Sequence, residues 1–339
     1  MQQYILLKKL NIQNANAIAG LTYGFPAITN FLGFAHALSR KLPESLAVKL
    51  GGVAVISHKS IVHARQPKGW GDYVFALTRN PLTQQSTTAP INEEGRMNMQ
   101  ISLLIELEGL TAGDRGTEQA LIQQVLHIIP TMRLAGGQIT ELDRCEVLND
   151  ELTQQKALRR LMPGFVLLDR SHYLETHFAT LKSSQQDASF FDAWCDFAKL
   201  KYQATPIEDQ QSEDAQVITE QDQDHDDGVK MKATWDYLPK PESGYLVPIA
   251  AGYYAISELY PAGEVDNVRD KNVPVAFAET AYSVGEWQSV HRLKEINAGI
   301  WRYTYQHPWY LAKTQSITAP IVEPDIALES DVVFDPDFL

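Results

Sequence analysis

Between Arg96 and Gly109 the chain places Met97, Met99, Ile101, Leu103, Ile105 and Leu107 on every second position. A two-residue apolar period reads as a strand with one face turned to a core. It is the longest strand candidate in the chain. A second period sits upstream. Ile28, Phe31, Leu32, Ala35, Leu38 and Leu42 fall at three-and-four spacing, the stripe of one helical face. Pro26 stands where a first-turn proline is tolerated, and Pro43 closes the segment. Gly33 would cost this helix roughly 1 kcal/mol against alanine. With Ala35 and Ala37 after it, Gly33 predicts close contact with a sheet or another backbone. Strand-like runs at 4–12 and 48–58 flank the helix, so strand, helix, strand is the organising unit.

The remaining elements follow from the same periods. Residues 11–16 are amide-rich and suit a loop. Residues 61–78 predict a long hairpin whose tip, 64–71, carries Arg65, Lys68 and an exposed Trp70. Residues 84–89 are a polar loop. Thr117 is placed to cap a helix over 118–132, with Leu121, Ile122, Val125, Leu126 and Ile129 facing inward. Residues 139–148 predict another strand. Helices are expected at 151–162, 171–181 and 188–200, and strands at 165–168 and 245–254. Over the first 148 residues the order is β-α-β, a hairpin insertion, then β-α-β. That is the ferredoxin-like arrangement of many RNA-binding domains. The expected class is α+β, a ferredoxin-like head with an inserted β-hairpin thumb and further helical and β segments.

Charge decides what partners are open to it. The net charge of −13 argues against nucleic acid until its distribution is seen. Residues 1–205 hold 20 basic and 18 acidic side chains, and residues 230–314 hold nine of each. Residues 206–229 carry nine acids and no base, and residues 315–339 six acids and no base. The acidity therefore lies in two segments, and the remaining body is near neutral, which leaves room for a local basic groove. The first of these segments has the composition of a disordered linker. No run of 18 apolar residues and no secretory leader is present, so a cytoplasmic protein without membrane contact is expected. Cys145 and Cys195 lack metal-ligand spacing and read as buried or indifferent thiols.

Candidate chemistry is sparse. There is no Gly-Lys-Ser loop, no Gly-x-Gly-x-x-Gly after a strand, no Gly-x-Ser-x-Gly and no Cys-x-x-Cys. His58 and His63 flank a strand turn, and a histidine is a competent general base for RNA cleavage, but no titratable partner at useful spacing accompanies them. Residues 222–228 resemble the opening of a calcium loop, yet the glycine falls one place late and Ala233 stands where a bidentate glutamate is needed. No cofactor or metal is therefore expected. Three segments instead put an arginine at a predicted element end, at Arg79 with Asn80, at Gly95 with Arg96, and at Arg133 with Gly136 and Gly137. Guanidinium forks suit phosphate, and glycines let a backbone N–H approach closely. Ordinary surface arginines beside turn glycines fit the same spacing. The aromatic pattern of an RNA-recognition sheet is missing, so base stacking on an open sheet face is not supported.

Gly24-Phe25-Pro26, the run 31–38 (FLGFAHAL), 77–82 (LTRNPL), 93–96 (EEGR), 132–137 (MRLAGG), 159–165 (RRLMPGF), 244–249 (GYLVPI) and Gly285-Glu286-Trp287 together resemble one CRISPR-associated family. It is the family of the second Csy subunit of type I-F surveillance complexes, a Cas-five-like branch of the RAMP superfamily. The resemblance implies a non-catalytic RNA-binding subunit that holds the 5′ handle of the CRISPR RNA (crRNA). It would pair with the large Csy subunit as a heterodimer, abut the backbone Csy subunit, and meet target DNA only through the complex. It implies a head at 1–58 and 96–205 with a helical extension, a thumb at 59–95, and a β-rich part at 230–313 packed on the head. The acidic linker at 206–229 and the acidic tail at 314–339 carry none of the motifs. Family matches at Arg79, Asn80, Arg96, Arg133, Gly136 and Gly137 mark the implied RNA contacts, while Arg65 and Lys68 come from the hairpin tip alone. A RAMP-type endoribonuclease processing repeat RNA through His58 or His63 is the alternative, and a protein–protein adaptor a third.

Overall fold

The computed structural model describes residues 2–79, 81–111, 113–206 and 233–314. Asn80, the acidic segment after Pro206 with its calcium-like stretch, and the tail after Thr314 lie outside the described residues. Strand β1 (Gln3–Asn16) feeds a tight pair, β2 (Ile18–Ala19) and β3 (Thr22–Tyr23), and then helix α1 (Ile28–Lys41). Strand β4 (Lys49–Val62) leads into two short ladders. The first is β5 (Ala64–Arg65) with β6 (Val74–Phe75), the second β7 (Leu77–Arg79) with β8 (Ile91–Glu93). Strand β9 (Arg96–Glu108) returns to the body, followed by α2 (Arg115–Ile128), β10 (Arg133–Leu134) and β11 (Gly137–Leu148). Next come α3 (Glu151–Arg160), β12 (Phe165–Asp169), α4 (Ser171–Ser184) and α5 (Phe190–Ala198). Strands β13 (Lys201–Pro206) and β14 (Ala233–Leu238) form a separate ribbon, and β15 (Leu246–Ala255), β16 (Ala278–Ser289), β17 (Trp301–Gln306) and β18 (Trp309–Thr314) complete the chain.

The fold is mixed α and β, with one large antiparallel sheet ordered β10-β11-β1-β9-β4-β12-β16-β15-β18-β17. Within it β11, β1, β9 and β4 are neighbours, and the chain visits them as β1-α1-β4-β9-α2-β11. Strand β4 has β9 along one side and divides the other between two strands. Val166 of β12 faces Ile56, and Trp301 of β17 faces Val53. Because β17 returns to β4, strands β4, β12, β16, β15, β18 and β17 close a ring. The ring removes the edge that β4 would otherwise expose.

Both faces of the central strands are covered. On one, α1 sets Ile28, Phe31, Leu32, Phe34, Ala35 and Leu38 against Leu7, Val53, Val55, Ile105 and Trp301. On the other, Ala157, Leu158 and Leu161, with Val290, Leu293 and Ile296, cover Tyr4, Leu6, Ala54, Ile56 and Leu104. Strand β9 is accordingly buried at every position from Ile101 to Leu107, not on alternate ones. The two-residue period identified the strand but not its second cover, since no local signal announces a helix that arrives from fifty residues away. A third cluster packs α4 and α5 on β15 and β16, where the buried Trp194 indole donates to the Ser283 carbonyl at 3.0 Å.

Three local expectations are corrected. Residues 11–16 do not leave the sheet. They remain in β1, which bulges twice and takes positive φ at Lys9 and Asn14. The backbone N–H groups freed at the bulges donate to Ser102 Oγ (2.9 Å) and Asn98 Oδ1 (3.0 Å) of β9, so polar side chains repair the ladder locally. Helix α2 is capped three residues earlier than expected, by Asp114, whose carboxylate accepts from the Thr117 N–H at 3.0 Å. It gives way at Ile128 to a 3₁₀ turn containing Pro130. Gly33 makes no close contact. A Cβ built there meets nothing within 4 Å, and only Ala35 of the small residues around it is buried. At 100° per residue, Gly33 and Ala37 fall outside the stripe that holds Ala35. Gly33→Ala is therefore expected to stabilise the protein by about 1 kcal/mol, read as a higher denaturant midpoint at unchanged m-value.

Candidate nucleic-acid interface

One end of the sheet gathers two of the three arginine motifs. After β10 the chain turns through Ala135 and Gly136, both with positive φ, and enters β11 at Gly137. The Arg133 side chain is exposed and donates from Nη1 to the Gly136 carbonyl at 3.2 Å. Arg96 approaches the same turn from β9. A Cβ built on Gly136 would lie 3.8 Å from its Nη1, and that nitrogen also reaches the Asn14 carbonyl at 3.5 Å. Backbone bonds knit these segments together. Asn16 N–H donates to the Ala135 carbonyl and Ala17 N–H to the Gly95 carbonyl, each at 2.8 Å. Arg96, Arg133, Gly136 and Gly137 thus meet, although 37 residues separate the two arginines in sequence.

Their roles differ. The Arg96 guanidinium is already held by Glu94 through Nε (2.8 Å) and Nη2 (2.5 Å), so much of its charge is locally matched. Among the described residues Arg133 makes a single bond, to a carbonyl, which leaves most of its donors for an anion. Gly136 is exposed and gives the turn its left-handed backbone. Gly137 is buried, and a Cβ there would stand 2.7 Å from the Gln13 carbonyl and 2.8 Å from Ala15 Cα. Its need for glycine is the close passage of β1.

Arg65, Lys68 and Arg79 lie apart from this turn, all exposed on the segment between β4 and β9. Lys68 Nζ sits 5.6 Å from the Trp70 ring centre, a cation–π contact at the tip. Arg79 stands opposite Ile91 in the outer ladder. The expected single long hairpin is two short ladders in series, because the returning segment 74–79 pairs first with 64–65 and then, past Ala76, with 91–93. The base of this segment joins the arginine end, where His63 N–H donates to the Arg96 carbonyl at 2.7 Å. Asn80 lies outside the described residues.

His58 is a structural residue in its geometry. Nδ1 lies 2.9 Å from the Pro163 carbonyl, which only accepts, so Nδ1 carries the proton. Nε2 lies 2.7 Å from Ser102 Oγ, which in turn accepts the Lys9 N–H at the first β1 bulge. Burial holds this imidazole below its usual range, assisted by Lys9 and Lys8, which fits the neutral tautomer. With both ring nitrogens engaged, His58 has neither a free base nor, among the described residues, a titratable hydrogen-bond partner for cleavage chemistry. Cys145 is buried, and its burial pushes the thiol up to about 12, so it is no nucleophile at neutral pH. Among the described residues no three metal-ligating side chains converge, and no helix is long and apolar enough to cross a membrane.

Four motif residues that had no assigned role come together as well. Phe25, Phe165, Tyr245 and Trp287 line one groove beside the start of α1. The signal was the aromatic in each motif, but spacing alone assigns an isolated aromatic to a core.

The CRISPR-associated Csy2 family model matches residues 5–312, which spans every strand of the large sheet. A curated relative, the CRISPR-associated protein Csy2 of Pseudomonas aeruginosa (strain UCBPP-PA14), is 37% identical over 320 residues, covering 89% of this chain and 91% of the relative. A match of that extent takes in the sheet, the arginine turn and the aromatic groove alike. The chain belongs to the Csy2 family of CRISPR-associated proteins, the second Csy subunit of type I-F surveillance complexes.

Proposed function

We propose that this chain is a non-catalytic RNA-binding subunit that holds the 5′ handle of the CRISPR RNA at the Arg133–Gly136 turn. The observation that carries the reading is the exposed Arg133 guanidinium, set beside Arg96 and a glycine turn at an open end of the sheet. In this reading the head, 1–58 and 96–205, is ferredoxin-like, supported by the β-α-β-β-α-β order and the strand order β11-β1-β9-β4. The segment 59–95 is the thumb, with Arg65, Lys68, Arg79 and Asn80 as further contacts, and 230–313 is the β-rich part that packs on the head. Since α3 and residues 290–300 cover one face and α1 the other, a strand of RNA is gripped at the sheet's end and not laid across it. The large Csy subunit is the heterodimer partner, the backbone subunit a further neighbour, and target DNA is met through the assembled complex in the cytoplasm.

Arg133→Ala is expected to weaken binding of handle RNA by about 1–3 kcal/mol, measured on the purified complex with the large subunit. The salt dependence should also lose about one phosphate contact, a slope change of ~0.7 for single-stranded RNA. Equal affinity and equal slope in a folded variant would remove Arg133 from the site. Arg96→Ala should fall at the lower end of that range, because Glu94 already occupies its fork.

A further inference from the structure

We propose that the groove at the start of α1 receives one unpaired base of the bound RNA, stacked between aromatic side chains; this rests on the RNA-binding reading above. The groove has a volume of about 550 Å³, within the ~300–1,000 Å³ of sites that enclose a small organic ligand. Its walls are aromatic and largely open. Tyr245 is 71% exposed, Tyr23 62% and Phe165 51%, around an edge-to-face pair formed by Phe25 and Trp287, 4.9 Å between centroids. Exposed rings that line one concavity from β3, β12 and the approach to β15 are placed to sandwich a flat partner, and every nucleobase offers a π face.

No lining residue carries a charge. Ser57 and Ser60 line the groove, and their hydroxyls make no side-chain hydrogen bond among the described residues, which suits them to a base edge. Helix α1 begins there with no acidic residue in its first turn, so nothing at that end repels a phosphate. Continuity decides the occupant. The lip residue Gly24 donates its N–H to the Ala17 carbonyl at 2.8 Å, and Ala17 donates to Gly95, next to Arg96. From the arginine turn to the groove is thus a path of two backbone hydrogen bonds, and a strand held by its phosphates at the first lies within reach of the second. Tyr23, on the same lip, also meets Phe75 of the thumb edge-on at 5.7 Å.

The test uses the complex with the large subunit and short handle RNA. Tyr245→Ala and Phe165→Ala remove exposed rings and should leave folding intact, which a thermal melt verifies. Each should weaken RNA binding by about five- to a hundredfold with the salt slope unchanged, while Tyr245→Phe binds as the parent does. A photo-crosslinking amino acid at position 245 should capture RNA at one nucleotide. Parent-like affinity in both alanine variants, alongside the loss expected for Arg133→Ala, overturns the base pocket and leaves the RNA reading standing. Crosslinking to a subunit's polypeptide instead of RNA assigns the groove to a protein partner and also overturns it. Absence of RNA binding by the parent complex ends both.

Discussion

Trp301→Ala should be among the most damaging single substitutions in this chain, lowering stability by about 4 kcal/mol. The side chain is fully buried, and its indole N–H donates to the Leu167 carbonyl at 2.8 Å. Its backbone faces Val53 where β17 returns to β4, so one residue joins β4, β12 and β17. Removing it leaves a cavity at the point where the ring of strands closes, and orphans a buried carbonyl. Chemical denaturation reads the loss. Trp301→Phe separates the two contributions, since it keeps most of the ring and loses only the hydrogen bond; it should fall short of the alanine variant by more than 1 kcal/mol. A loss under 1 kcal/mol for Trp301→Ala would mean that the closure contributes little to stability.

Glu106→Ala is expected to cost about 3 kcal/mol. Glu106 lies on β9 with its side chain 10% exposed. Oε2 accepts the Gly52 N–H (2.9 Å) and Arg302 Nε (3.0 Å), while Oε1 accepts Arg302 Nη2 (2.6 Å). The carboxylate therefore spans from β9 across β4 to β17. Truncating it strands a guanidinium that is itself only 30% exposed, and frees a buried backbone donor. That partial exposure sets the figure at the low end for a broken buried pair. Arg302→Ala in the Glu106→Ala background should add little, because the stranded charge is gone. A double-mutant cycle with no coupling would show the two side chains to be independent.

Much of the head was legible because its signals are local. The stripe from Ile28 to Leu38 and the alternation from Met97 to Leu107 each report one element and its inner face, and the structure has both. Asp114 was missed as a cap because Thr117 satisfies the same preference three residues on, and only the fold of the preceding turn chooses between them. Residues 11–16 looked like a loop because amides favour turns, yet Ser102 and Asn98, more than eighty residues away, supply the acceptors that keep the bulged strand in the sheet. The arginine motifs were visible individually. That Arg96 and Arg133 share one turn, and that Gly137 is needed for packing while Gly136 shapes the turn, depended on β1 passing between β9 and β11.

The amino-acid sequence by itself determined the order of the main elements of the head, the inner faces of α1 and β9, the two acidic segments and the family. Those depend on periodicity, composition and motif, which act over a few residues at a time. Only the tertiary structure decided that the sheet closes through Trp301 onto β4, that both faces of its central strands are covered, and that four scattered aromatics share a groove. Each of those is set by which distant surfaces exclude water together, a property of the packed chain that no window of sequence contains.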